Sequence, residues 1–231
     1  MQFTVGYRAS SLLQHFVYTT CDLLEKHNLK IKFRIDLRIG TSEKVLNRLK
    51  EVGCEVVGFG IETGSNKILK RIRKGITREQ IETTLKYCRN QKFWVVGFLM
   101  VSLPDESIDD ILKTFELLNF FDEVNIQIFK IHPNTAIYDE LKSRNEITDE
   151  EWFNPKSGFN TTYGNEFIYC SELFPSAILP HRTSIRLVRY GYSKYTLHRP
   201  FHVINKKGFL GIYHVIKSIG ILCFEKIRQF D

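Results

Sequence analysis

Residues 29–39, LKIKFRIDLRI, alternate strictly: Ile31, Phe33, Ile35 and Leu37 are apolar, while Lys32, Arg34, Asp36 and Arg38 are charged. A period of two predicts a strand with one buried face. On either side the spacing turns helical. Residues 9–27 place Leu12, Leu13, Phe16, Val17, Cys21, Leu23 and Leu24 on one stripe and stop at His27 and Asn28. Residues 41–53 open on Thr41 or Ser42 as N-cap, present Val45, Leu46, Leu49 and Val52, and close on Gly53. The pattern then repeats. CEVVGFGI (54–61) reads as a strand, TREQIETTLKYCRNQ (77–91) as a helix with Thr77 and Gln80 as a capping box, and FWVVGFLMV (93–101) as a strand apolar on both faces. SIDDILKTFELLNFF (107–121) is expected as a helix with acids in its first turn, EVNIQIFKI (123–131) as a strand and AIYDELKSRN (136–145) as a short helix. Four strands alternating with helices predict right-handed β-α-β units and a parallel sheet, hence an α/β fold. After about residue 150 the alternation stops: WFNPKSGFNTTYGNEF (152–167) is loop-like, and helical stretches follow near 176–198 and 208–228.

Composition narrows the class. With 231 residues, 43% hydrophobic and 26% charged, the chain can bury one core and carry an appendage, and disorder is excluded. Five cysteines, at 21, 54, 88, 170 and 223, are odd in number and contain no C-x-x-C pair, which suits free thiols in a reducing compartment. No spacing suggests a metal site, and no basic segment followed by an apolar run marks secretion, so a cytoplasmic protein is expected. The net charge of +7 is uneven: residues 1–150 carry 22 Lys/Arg against 21 Asp/Glu, residues 151–231 carry 11 against 5. A basic tail can be a solvated surface or can meet an anionic partner.

In parallel α/β folds ligands gather at the carboxyl ends of strands. There stand Arg38, then Glu62 with Thr63, Gly64 and Ser65, then Ser102 to Glu106, then His132, Pro133, Asn134 and Thr135. A carboxylate closing an apolar strand costs several kcal/mol (~) to bury unpaired, so Glu62 either faces an open mouth where a ligand reaches it or pairs with a neighbouring Lys or Arg. Gly58, Gly60 and Gly64 do not have the G-x-G-x-x-G spacing of a dinucleotide loop. Asp105, Glu106, Asp109 and Asp110 have a complete account as helix starters.

Taken in order, GCEVVGFGIETGSNKILKRIRKGITREQI, VVGFLMVSLPDES and IHPNTAIYDEL resemble the later part of the radical S-adenosylmethionine (SAM) core, notably its cobalamin-associated and methylthiotransferase-like branch. The likeness covers residues 3 to about 142. It implies an incomplete partial TIM barrel in residues 1–145, with residues 146–231 as a helical basic extension. It further implies SAM and a [4Fe–4S] cluster as cofactors, with cobalamin in some relatives. By that resemblance Glu62, with Thr63, matches the acidic strand tip near the ribose and methionine of SAM. Gly97 to Glu106, including Ser102 and Pro104, matches the family's G-x-I-x-G-x-x-E region, whose backbone flanks adenine. His132 and Pro133 lie in the segment that closes over the base, and Arg38 is placed to pair with the SAM carboxylate or with Glu62.

Two departures qualify this. Ser102 and Asp105 stand where the family has glycine. The family's C-x-x-x-C-x-x-C loop is also missing, so no cluster ligand and no catalytic residue is assigned, and the chain reads as starting late in the family pattern. Two functions compete: the later portion of a radical SAM enzyme whose cluster-bearing part lies elsewhere, or a non-catalytic remnant that pairs with another chain through an open sheet edge. The substrate, a small molecule, is not legible. FLGIYHVIKSIGILCF (209–224) is too short to span a bilayer, yet with the basic residues before it fits contact with a membrane surface. No RNA-binding motif accompanies them, and nucleic acid is not an expected partner.

Overall fold

The computed structural model describes residues 2–4, 10–150, 167–168, 171 and 176–227. The loop-like stretch 152–167 and Cys170 lie outside the described residues, apart from Phe167. Strand β1 (Gln2–Thr4) precedes helix α1 (Ser10–Lys26), β2 (Phe33–Leu37), α2 (Glu43–Glu51) and β3 (Cys54–Glu62). Then come α3 (Asn66–Arg71), α4 (Arg78–Asn90), β4 (Trp94–Val101) and α5 (Ile108–Glu116), which runs into a 3-10 turn at Leu117–Phe120. Strands β5 (Glu123–Ile128) and β6 (Lys130–Ile131) lead to α6 (Ala136–Ser143), and β7 (Phe167–Ile168) precedes α7 (His181–His198), α8 (Pro200–Lys207) and α9 (Phe209–Ile227).

The main sheet has the order β1-β2-β3-β4-β5, and the pairings of β1 with β2, β2 with β3 and β3 with β4 are all parallel. Neighbouring strands are also neighbours in sequence, as expected of successive β-α units. The chain divides into two compact units, Met1–Leu99 with Lys113–Asn125, and Met100–Leu112 with Ile126–Asp231.

In the first unit, alternation does the sorting. Phe33, Ile35 and Leu37 of β2 are buried, as are Val57, Phe59 and Ile61 of β3. Val45, Leu46 and Leu49 of α2 and Ile81, Leu85 and Cys88 of α4 are buried too. Ser42 caps α2, its hydroxyl accepting from the Val45 amide at 3.4 Å, and Thr77 and Gln80 form the capping box expected at α4. Gly53 leaves α2 at φ +100°, a left-handed turn suited to glycine, where a Cβ would run into the Ile31 carbonyl.

In the second unit, Ile131, Tyr138, Leu141, Ile147 and Ala177 form a separate buried cluster. Here the structure departs from the expected pattern. The stretch 123–131 is two strands, because β6 leaves the main sheet to pair antiparallel with β7. The first tail helix starts only at His181, after Pro180, and Pro200 opens the additional helix α8, its fixed φ suiting a first helical position. Helix α3 was not expected: six residues carry too few apolar positions to show a period, and Ile68 and Leu69 hold it by burial.

Candidate functional site at the strand ends

The face of β2 and β3 opposite the buried one is polar and floored by glycine. Arg34 and Asp36 lie on it, the Arg34 Nε donating to Asp36 Oδ1 at 2.9 Å, with the guanidinium 5.4 Å from the centre of the Phe98 ring. Asp36 is paired in register with Gly58, and Gly60 with Phe98. A side chain at Gly58 would collide with the Asp36 carboxylate; one at Gly60 would sit 3.1 Å from Glu62 Oε1 and 3.6 Å from Lys74 Nζ. The two glycines therefore keep open the space beside two carboxylates.

Glu62 closes β3. It adopts a left-handed backbone, φ +69°, and the register against β4 shifts between Gly60 and Glu62, so the ladder ends here. Its carboxylate accepts from the Lys74 ammonium at 2.8 Å, and the two side chains are about one-fifth and one-quarter exposed (19% and 24%). Arg38, one residue past β2, donates from Nη2 to the Lys74 carbonyl at 3.3 Å. Lys74 thus serves both groups, and Glu62 is paired with it rather than with Arg38.

Thr63 follows Glu62 but turns inward. Fully buried, its hydroxyl lies 3.0 Å from that of Thr114, which also accepts from the Gly64 amide at 2.8 Å. Gly97 is tied to packing on the other face, where a Cβ would stand 2.7 Å from the Phe121 ring. Thr63 thus anchors the end of β3 and Gly97 admits the Phe121 ring against the middle of β4, and neither position presents a side chain to the polar strip.

In the second unit, Ser102 follows β4 in a left-handed conformation, φ +66°, and Asp105 repeats it at φ +62°. These are the two positions where glycine was expected. Pro104 is buried between them, and the Glu106 carboxylate accepts from the Leu103 amide at 3.0 Å, folding 102–106 into a tight bend. The Ser102 hydroxyl is 2.5 Å from that of Ser184 on α7. His132 is exposed, its carbonyl accepting from the Thr135 hydroxyl at 2.6 Å, and Pro133 is half-buried.

The described cysteines do not fit an iron–sulfur cluster. Burial pushes the Cys54 and Cys88 thiols up to about 12 and raises that of Cys21, whereas cluster ligands are thiolates. Cys223 is exposed and alone on α9, and no group of three His, Cys, Asp or Glu among the described residues could hold a metal ion. Nor is any helix among the described residues long and apolar enough to cross a membrane.

Sequence reasoning found Arg38 and Glu62 from their positions at strand ends. It passed over Arg34 and Asp36, although the alternation that marked β2 puts them on the face of Arg38. Lys74 carried no signal, because the turn that delivers it follows the unexpected helix α3.

A parallel β-α sheet with polar residues at the carboxyl ends of its strands is that of a partial α/β barrel. The model of the radical SAM superfamily matches residues 3–118, and the chain belongs to that family. Over 133 residues it is 29% identical to an uncharacterised methyltransferase of Pyrococcus horikoshii, a match that covers 56% of this chain and 29% of that protein. It is 28% identical over 116 residues to a tRNA-2-methylthio-N(6)-dimethylallyladenosine synthase of Pelotomaculum thermopropionicum, covering 48% and 24%. Each match spans less than a third of the relative's length. Among solved structures, the fold resembles that of the radical S-adenosylmethionine methyltransferase TsrM from Kitasatospora setae, with a TM-score of 0.53 at 12% identity, over 62% of this chain and 30% of that one. The architecture is a radical SAM partial TIM barrel with a mostly helical C-terminal region.

Proposed function

We propose that this chain binds SAM at its strand ends as part of a radical SAM protein of the methyl- and methylthio-transferring branch, and that the cluster ligands are supplied from outside these 231 residues. The observation that carries this is the Glu62 carboxylate, held by Lys74 above a bare Gly60 at the carboxyl end of β3. A carboxylate in that position accepts from ribose hydroxyls or an ammonium group without crossing a side chain. The contacts proposed in the first unit are Arg38, Glu62, Thr63 and Gly97, the last two through backbone because their flanking structure is committed to packing. Those proposed in the second, Ser102, Pro104, Glu106, His132 and Pro133, rest on sequence correspondence. In the family the cluster supplies reductive cleavage of SAM, and no step of that chemistry is assigned to residues of this chain.

Calorimetric titration of SAM into the full chain tests the reading. Saturable binding is expected, and Glu62→Gln should weaken it by about tenfold or more, the worth of one charge-assisted hydrogen bond. Absence of binding at millimolar SAM, or equal affinity in the variant, would overturn it. The cysteine chemistry favours a second reading, a non-catalytic module that docks another chain; a chain that binds no SAM yet forms a stable complex with a cluster-bearing partner would support it.

A further inference from the structure

Between residues 173 and 224 the sequence contains no Asp or Glu and eight Lys or Arg. Helices α7 and α8 and all but the last turn of α9, where Glu225 follows, fall in this stretch, and α9 exposes an apolar stripe. Phe209 is 92% exposed and Ile216 64%, with Ile212, Tyr213 and Ile219 exposed at the same three- and four-residue spacing, so all five share one face. The opposite side of α9, through Gly211 and Ser218, is buried. On the flank between stripe and buried side, a cleft of about 1000 Å³ opens between α7 and α9. Arg186 and Arg189 of α7 line it together with His214 and Lys217 of α9, and none of its described lining residues is acidic. Tyr192, Ser193, Thr196 and Ser218 add hydroxyls.

A stripe facing water on a helix not long and apolar enough to cross a bilayer, flanked by cations and hydroxyls and by no acid among the described lining residues, is complementary to one kind of surface. Acyl chains take the apolar residues, and phosphate headgroups take the arginines, lysine and hydroxyls. An ordinary protein partner would leave the uniform positive charge unmatched unless it were strongly acidic. We propose that α7 and α9 form a docking face for an anionic phospholipid membrane, with α9 lying in the interface and the cleft holding a headgroup phosphate. This does not depend on SAM binding.

Flotation of the full chain with phosphatidylcholine vesicles, with and without about 30% phosphatidylglycerol, tests it. Binding to the anionic vesicles alone, released at about 0.5 M salt, is expected. Phe209→Ser with Ile216→Ser, both at exposed positions, should lower partitioning by about tenfold with unchanged helical circular dichroism. Arg189→Gln and Lys217→Gln should each lower it about fivefold. Millimolar inorganic phosphate should not displace the protein; if it does, the cleft serves a soluble anion and the proposal fails. It fails equally if no vesicle binds, if the apolar variant floats undiminished, or if that variant instead dissolves a dimer present without lipid, which would make a second copy the occupant.

Discussion

A methyl group at Gly53 would run into the Ile31 carbonyl on a backbone already at φ +100°. Gly53→Ala is therefore expected to cost about 3 kcal/mol, read as a lowered midpoint in urea unfolding. Gly97→Ala meets the Phe121 ring and should cost about 1–3 kcal/mol, because a ring yields more readily than a carbonyl. The thiols make a second prediction. Cys54 and Cys88 keep their protons in the fold up to about pH 12, whereas the unfolded thiols titrate at 9.0. Their contribution to stability is whole below pH 9 and is lost as pH rises toward 12, at about 1.4 kcal/mol per pH unit for each thiol. Alkaline denaturation of the Cys54→Ala and Cys88→Ala variants should show the shallower slope. Of the four described cysteines, only Cys223 should react with a thiol reagent at pH 8 in the native state.

Elements that announce both their face and their ends were readable. The period-two run of β2, the serine before α2 and the Thr77–Gln80 pair before α4 each state a local preference that the packing shares. Thr77→Ala should cost about 1 kcal/mol by thermal melting, the usual worth of an N-cap. Where a preference is weak, tertiary structure decides. Helix α3 has two buried residues and no side-chain cap, so it exists because β3 delivers it to the core. Lys74 follows it, and this hid the ion pair that organises Glu62. The bend at 102–106 shows the converse: Ser102 and Asp105 stand where the family has glycine, yet both adopt a left-handed backbone, with Ser102 held by Ser184.

Over the whole molecule, the parallel order of strands and the helical tail followed from alternation and its ending. The two compact units did not, since the boundary runs within β4, α5 and β5 where hydrophobicity is continuous. The mismatch between the family's cofactor and this chain's thiols has a direct test. After anaerobic incubation with iron and sulfide, the purified chain should show no cluster absorbance and no EPR signal, because its described cysteines are buried or solitary. Stoichiometric iron and sulfide with a cluster spectrum would refute this.

Gly58 carries no charge, yet it sets one. Its missing Cβ is the room in which Asp36 reaches Arg34, so the exchange of one hydrogen for a methyl group would push the carboxylate aside and unmask the guanidinium. A substitution that looks neutral on paper would act, for any molecule resting on that floor, as the gain of a cation.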